Sequence, residues 1–289
     1  MVASVARHRE DERGVALIVV LGFLAVMSLI TIGIVGAART AATSASRDLV
    51  RAQAQAAVES GVDYAINALL QARGFAPELV TTAETVTVGG FRVVVSVRPE
   101  RAKVDLNHAD ANLLAILFVS GGADQARADG LAAAVEDWRD GDHLVRVNGA
   151  ERRQYEEAGL NYGPANQFFR SADELRLVLG VDRRLYDCVR NEVTILSQRP
   201  GVEIAYASAA LRRAAGVDGA VVTGALELKP GDVFEITARL DDVARGVRRA
   251  ERVVVRLTGN PSDPYAVLSF EPARPLEEAA ARACPRQAR

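Results

Sequence analysis

Between Val15 and Ala38 no residue carries a charge. As a helix rising about 1.5 Å per residue, this run is roughly 36 Å long, enough to cross a hydrocarbon core of about 30 Å. A secretory signal has an apolar stretch of roughly 7 to 15 residues and then a small-residue cleavage site. The run is longer than that, although VGAARTAATSAS supplies small residues behind it. Arg7, Arg9 and Arg13 precede it among Glu10, Asp11 and Glu12, while Arg39, Arg47 and Arg51 follow. The positive-inside rule therefore selects no orientation. The start is abrupt: a short charged leader ends at Gly14, and the apolar helix begins at Val15.

A chain of 289 residues allows one large domain or two smaller ones. Its formal net charge of -2 and pI of about 6.0 give no dominant electrostatic footprint for nucleic acid. Two cysteines, Cys188 and Cys284, are too few for a disulfide framework, and their spacing leaves pairing open. P-loop, GxSxG and HExxH patterns are absent, and His108 and His143 read as surface or turn residues.

Beyond Arg39 the sequence stays rich in Ala, Gln, Leu and Arg, with no proline until Pro77. Val58, Val62, Ala65 and Leu69 recur at spacings of three and four, an amphipathic stripe. Gly61 lies on that stripe and would admit another backbone. One helix is predicted from Val15 to about Arg73, its second half packed on a sheet, with Pro77 marking the stop. The same stripe of Val58, Gly61, Val62, Ala65 and Leu69 is expected to pack with partner helices.

TVTVGGFRVVVSVR carries β-branched residues on both sides of Gly89-Gly90, a hairpin signal. DVFEITARL, ERVVVRLTG and YAVLSFE read as three later strands. From about Lys103 to Gly219 the pattern is helical instead, as in ANLLAILF, ARADGLAAAVEDWRD and SADELRLVLGVDRRLYDCVRN. Ser171 and Glu174 fit a capping box. KVDLNHADANLLA and GVEIAYASAALRR form a weak internal repeat, each a short extended piece feeding a helix. The repeat resembles a helix-hairpin-helix unit. That leaves a membrane-anchored DNA-binding protein of a competence-like system as the alternative reading, but no basic patch lies near either copy.

Asp137, Asp140, Asp142 and Glu151 form an acidic run around Gly141. Oxygen ligands clustered in such a loop suit calcium, whereas a solvated turn at Asp140-Gly141 is the plainer reading.

The junction RGVALIVVL resembles the prepilin leader of type IV pilins and type II secretion pseudopilins, cut after the glycine by a membrane peptidase. Most pilins carry glutamate at the fifth mature position, and here that position is Val19. The missing glutamate resembles the type II secretion minor pseudopilin K family. So do EDWRDGD, the Gly149-Ala150-Glu151 triplet and NYGPANQFFRSADELRLVLGVDRRLYDCV. In the second repeat Ala205 and Tyr206 replace the family's Asn and Thr.

The resemblance implies an α+β fold. A long N-terminal transmembrane helix packs on a small antiparallel sheet, the pseudopilin fold, with a large helical domain inserted between strands. The implied organisation is leader 1–14, transmembrane part 15–38, rest of the helix and first strands 39–102, inserted domain 103–219, late strands 220–275 and tail 276–289. It also implies cleavage between Gly14 and Val15, methylation of the new terminus and calcium in the helical domain. The resulting expectation is a non-enzymatic tip subunit of the type II secretion pseudopilus. It would sit in the bacterial inner membrane with its main domain in the periplasm, and would start assembly and limit growth. Its partners would be the minor pseudopilins I and J, prepilin peptidase, the inner-membrane assembly platform, and the secretin or exported proteins.

Overall fold

The structure is a computed structural model that describes residues 8–72, 80, 82–217, 227–272 and 284, with side chains described except at 8–16 and 272. Residues 1–7 of the expected leader, the expected helix stop around Pro77, the end of the expected inserted domain at 218–219 and the tail apart from Cys284 lie outside these residues. Two compact units divide the chain, Met1–Gln53 and Ala54–Arg289.

In the first unit, helix α1 (His8–Gln71) runs unbroken through Gly14, Val15 and the apolar run. It is one helix long and apolar enough, by length and composition, to cross a membrane. Its few polar side chains find acceptors within the helix. The Ser28 and Thr31 hydroxyls donate to the Leu24 and Met27 carbonyls at 2.8 Å, so neither is left bare in an apolar setting.

The second unit contains the rest of α1 and everything after it. Strands β1 (Glu84–Val88) and β2 (Phe91–Pro99) form the expected hairpin. Gly89 and Gly90 both have positive φ, at 57° and 79°, as a tight hairpin turn of this hand demands. The chain then leaves the sheet. It passes through β3 (Val104–Asp105), α2 (Ala111–Ser120), α3 (Gln125–Arg139), α4 (Arg152–Glu157), α5 (Arg183–Val189), β4 (Val193–Thr194) and α6 (Ala209–Ala214). It re-enters as β5 (Val233–Asp242), β6 (Val247–Asn260) and β7 (Asp263–Pro272). The sheet order is β1-β2-β5-β6-β7, with every neighbour antiparallel. The inserted segment therefore separates two strands that lie side by side.

Period-two burial along β2 sends Val93, Val95 and Val97 toward α1, joined by Ile236, Ala238 and Leu240 in register on β5. Val58, Val62, Ala65 and Leu69 lie buried on the opposing helix face. At Gly61 an added Cβ would stand 2.9 Å from Val93 Cγ1 and 3.2 Å from Val95 Cγ2. This corrects one expectation. The stripe Val58, Gly61, Val62, Ala65 and Leu69 is used on the chain's own sheet and is closed to a partner helix. Burying each valine contributes about 1.5 to 3 kcal/mol, which the sheet supplies within the chain.

The inserted segment has its own core, centred on Leu114, Leu117, Phe118, Leu131, Trp138, Tyr155, Leu175 and Val189. The short parallel pair β3–β4 ties its start to the stretch just after α5, a pairing the sequence did not reveal. Arg98 to Glu192 at 2.6 Å, and Lys103 to Glu100 and Glu235 at 2.6 and 2.9 Å, fasten it to the sheet. The expected long helix after Ser171 is shorter: a 3-10 turn at Ala172–Leu177, then α5. The second repeat copy begins in a 3-10 turn at Ile204–Tyr206 rather than an extended piece. Cys188 and Cys284 are joined in a disulfide.

Candidate metal centre

Helix α3 ends in an acidic turn. Its cap, Asp140, leaves the helix with φ -79° and ψ 163°, its N–H still donating to the Glu136 carbonyl. The following loop is closed from inside by Asp137, which is fully buried. Asp137 Oδ2 accepts from Ala150 N at 2.8 Å, and both its oxygens lie 3.3 Å from Arg146 N. A Cβ at Gly149 would fall 2.1 Å from Asp137 Oδ2, so the loop returns past this carboxylate only as glycine. Burial pushes the Asp137 carboxyl above its ordinary range despite the opposing Arg146 and Ala150 N–H groups.

On the other side of the loop, ligand oxygens of Asp140, Asp142 and Glu151 lie within 4.8 Å of one another. Asp142 Oδ1 also accepts from Leu144 N at 2.8 Å. Glu151 is held just before α4, where its N–H donates to the Gln154 side chain at 3.0 Å. Asn166 Nδ2 donates to the Asp142 carbonyl at 2.8 Å. Asp140 Oδ1, both Glu151 carboxylate oxygens and Asn166 Oδ1 are buried with no hydrogen-bond donor. Burial, and then the charges of Asp137 and Asp140, raise the Glu151 carboxyl above its usual range. Arg146 offsets part of this charge, lying 3.2 Å from Asp140 and 3.4 Å from Asp137.

These acceptors without donors fit a hard cation that takes oxygen ligands. Of the four expected carboxylates, Asp140, Asp142 and Glu151 come together. Asp137 does not join them and serves as the loop's internal anchor, because its oxygens are taken by backbone N–H groups. Asn166 escaped sequence reasoning. It lies far along the chain from Asp142, and its neighbours in PANQFF carry no acidic signal.

The first repeat motif is used internally. Asp105 accepts from Asn107 N at 2.9 Å and Gln198 N at 2.8 Å. Asn107 exchanges two bonds with the Phe169 backbone, at 3.0 and 2.7 Å. These side chains join segments of the inserted domain and are not presented to a phosphate.

A long N-terminal helix laid on an antiparallel sheet, with a helical domain spliced between neighbouring strands, is a pilin-like fold carrying an insertion. The fold matches a chain of the crystal structure of the GspK-GspI-GspJ complex from the enterotoxigenic Escherichia coli type 2 secretion system, with TM-score 0.58 and 14% identity, over 79% of this chain and 100% of that one. Residues 92–198 match the family model for type II secretion system protein K. The chain resembles that family over this segment. It is 38% identical over 76 residues to type II secretion system protein K of Pectobacterium carotovorum subsp. carotovorum, which is 26% of this chain and 23% of the relative. To the Klebsiella pneumoniae protein of the same name it is 37% identical over 76 residues, again 26% and 23%. The chain thus spans about a quarter of the length of the curated relatives it matches.

Proposed function

We propose that this chain is a non-enzymatic minor pseudopilin seated at the tip of a type II secretion pseudopilus, where it starts assembly and limits growth. The observation that carries this reading is the helical domain spliced between β2 and β5, in the segment that matches the protein K model. A domain of that size on one subunit hinders the repeated stacking that a filament shaft requires. Val19 supports the same place. A buried carboxylate in lipid is costly without a partner, and a subunit with nothing above it has no neighbouring amine to supply one.

In this reading, peptidase cleavage between Gly14 and Val15 leaves α1 in the inner membrane and the second unit in the periplasm. The solved complex named above contains I and J subunits, which favours minor pseudopilins I and J as partners. Calcium would be held by Asp140, Asp142 and Glu151 with Asn166 beside them, and it would supply the charge that lets these oxygens sit together.

Immunogold labelling of overexpressed pseudopili tests the placement. Label at one filament end is expected, and label at regular intervals along the shaft would refute the tip position.

A further inference from the structure

The sheet face turned away from α1 carries arginines in place of valines. Val94 pairs with Arg239, and Thr237 with Arg252, across β2, β5 and β6. Arg239 is half-buried, its Nε has no acceptor, and among the described residues it makes no hydrogen bond or salt bridge. Burial and then the charge of Arg252 lower its pKa. Arg252 is little better placed. Its Nε also lacks a hydrogen bond, its Nη2 donates to Asn191 Oδ1 only at 3.5 Å, and it shares Glu235 at 3.4 Å with Lys103, which holds the same carboxylate at 2.9 Å.

Beside Arg252 a cleft of about 420 Å³ opens between this face and the inserted domain. Arg176 and Arg190 line its far wall. Arg176 lies 5.6 Å over the Tyr186 ring. The carboxylates of the cleft are largely engaged: Lys103 holds Glu100 and Glu235, and Asp173 accepts from the Tyr186 hydroxyl. Glu271 faces Arg252 in register without closing an ion pair.

Half-buried guanidinium groups that repel one another, one of them with no acceptor at all, carry a cost that an anion offsets. Their planar forks match carboxylates. The cations are spread over β5, β6 and the inserted domain, and adjacent strands are about 4.8 Å apart, so one small ion cannot reach them all. We propose that this face and its cleft bind an acidic peptide segment of a partner protein, with successive carboxylates pairing to Arg239, Arg252 and Arg190. The proposal does not depend on the tip position.

The full chain in detergent is titrated into fluorescein-labelled hexaglutamate, with hexalysine as the control, and followed by fluorescence anisotropy. Hexaglutamate should bind and hexalysine should not. Arg239→Gln and Arg252→Gln should each weaken binding at least about fivefold, while Arg153→Gln, on the exposed surface, should leave it unchanged. If Arg239→Gln does not fold, Arg190→Gln on the far wall replaces it with the same expectation. No binding by the parent chain overturns the proposal, as does an equal loss in Arg153→Gln. Displacement of the peptide by sulfate at the same concentration of charge also overturns it, in favour of a simple anion.

Discussion

At Glu151 two carboxylate oxygens are buried without a donor, within reach of Asp140 and Asp142. Such a group holds a proton more tightly in the folded chain than in the unfolded one, since burial and neighbouring charges raise its pKa. Its contribution to stability is present below the unfolded pKa and is lost as pH rises through the folded one. A divalent cation removes the repulsion that develops above that point. Calcium should therefore raise the melting temperature of the full chain at neutral pH, and the increment should shrink as pH falls through the carboxylate range. A ligand at a hundred times its Kd adds about 2.7 kcal/mol. Thermal melts in calcium and in chelator check this, with Glu151→Gln expected to lose most of the increment. An equal shift in parent and variant would sink the site. Asp140, Asp142 and Glu151 were legible in the sequence because acidic residues beside a glycine are a local signal. Asp137 looked the same in sequence, and only its burial beneath the Ala150 and Arg146 N–H groups separates it from the three carboxylates that group together.

Helix α1 presents a second test, at the scale of an element. Its apolar stripe could be read from spacing, but spacing does not name the surface that covers it. Gly61 shows the difference. The sequence marks a place where something approaches closely, and the structure supplies Val93 and Val95 of the same chain. Gly61→Leu should force those valines apart and destabilise the second unit by about 1 to 3 kcal/mol, the usual cost of overpacking. Urea unfolding of the full chain measures it, and a variant as stable as the parent would mean that helix and sheet are not in contact there. The β1–β2 hairpin was legible because Gly89-Gly90 and alternating valines are local. The β3–β4 pair was not, since each strand is only two residues long and its partner lies far along the chain. The 3-10 turn after Ser171 was read as a longer helix because its capping box is shared by both kinds of helix.

Across the whole molecule, the Cys188–Cys284 disulfide joins Cys284 to α5 over a separation of 96 residues. Closing a loop of that order restricts the unfolded chain by about 4.7 kcal/mol in the chain-entropy account. Reduction, or a Cys284→Ser variant, should lower the melting temperature, and identical melts with and without reductant would show that the bond adds nothing. The splice between β2 and β5 has a consequence of another kind. Val93 must find Leu240 across the whole inserted segment. Pairings so distant in sequence form slowly, because the intervening chain must be gathered first. During synthesis the β1–β2 hairpin emerges well before β5, with one edge of β2 open to any passing strand. The inserted segment, with its own core and the β3–β4 pair within it, can condense in that interval and bring the severed edges of the sheet within reach. Its folding would then set the pace of the sheet's closure, so a destabilising change deep in the inserted core would be felt first as a slower, more aggregation-prone assembly of strands it never touches.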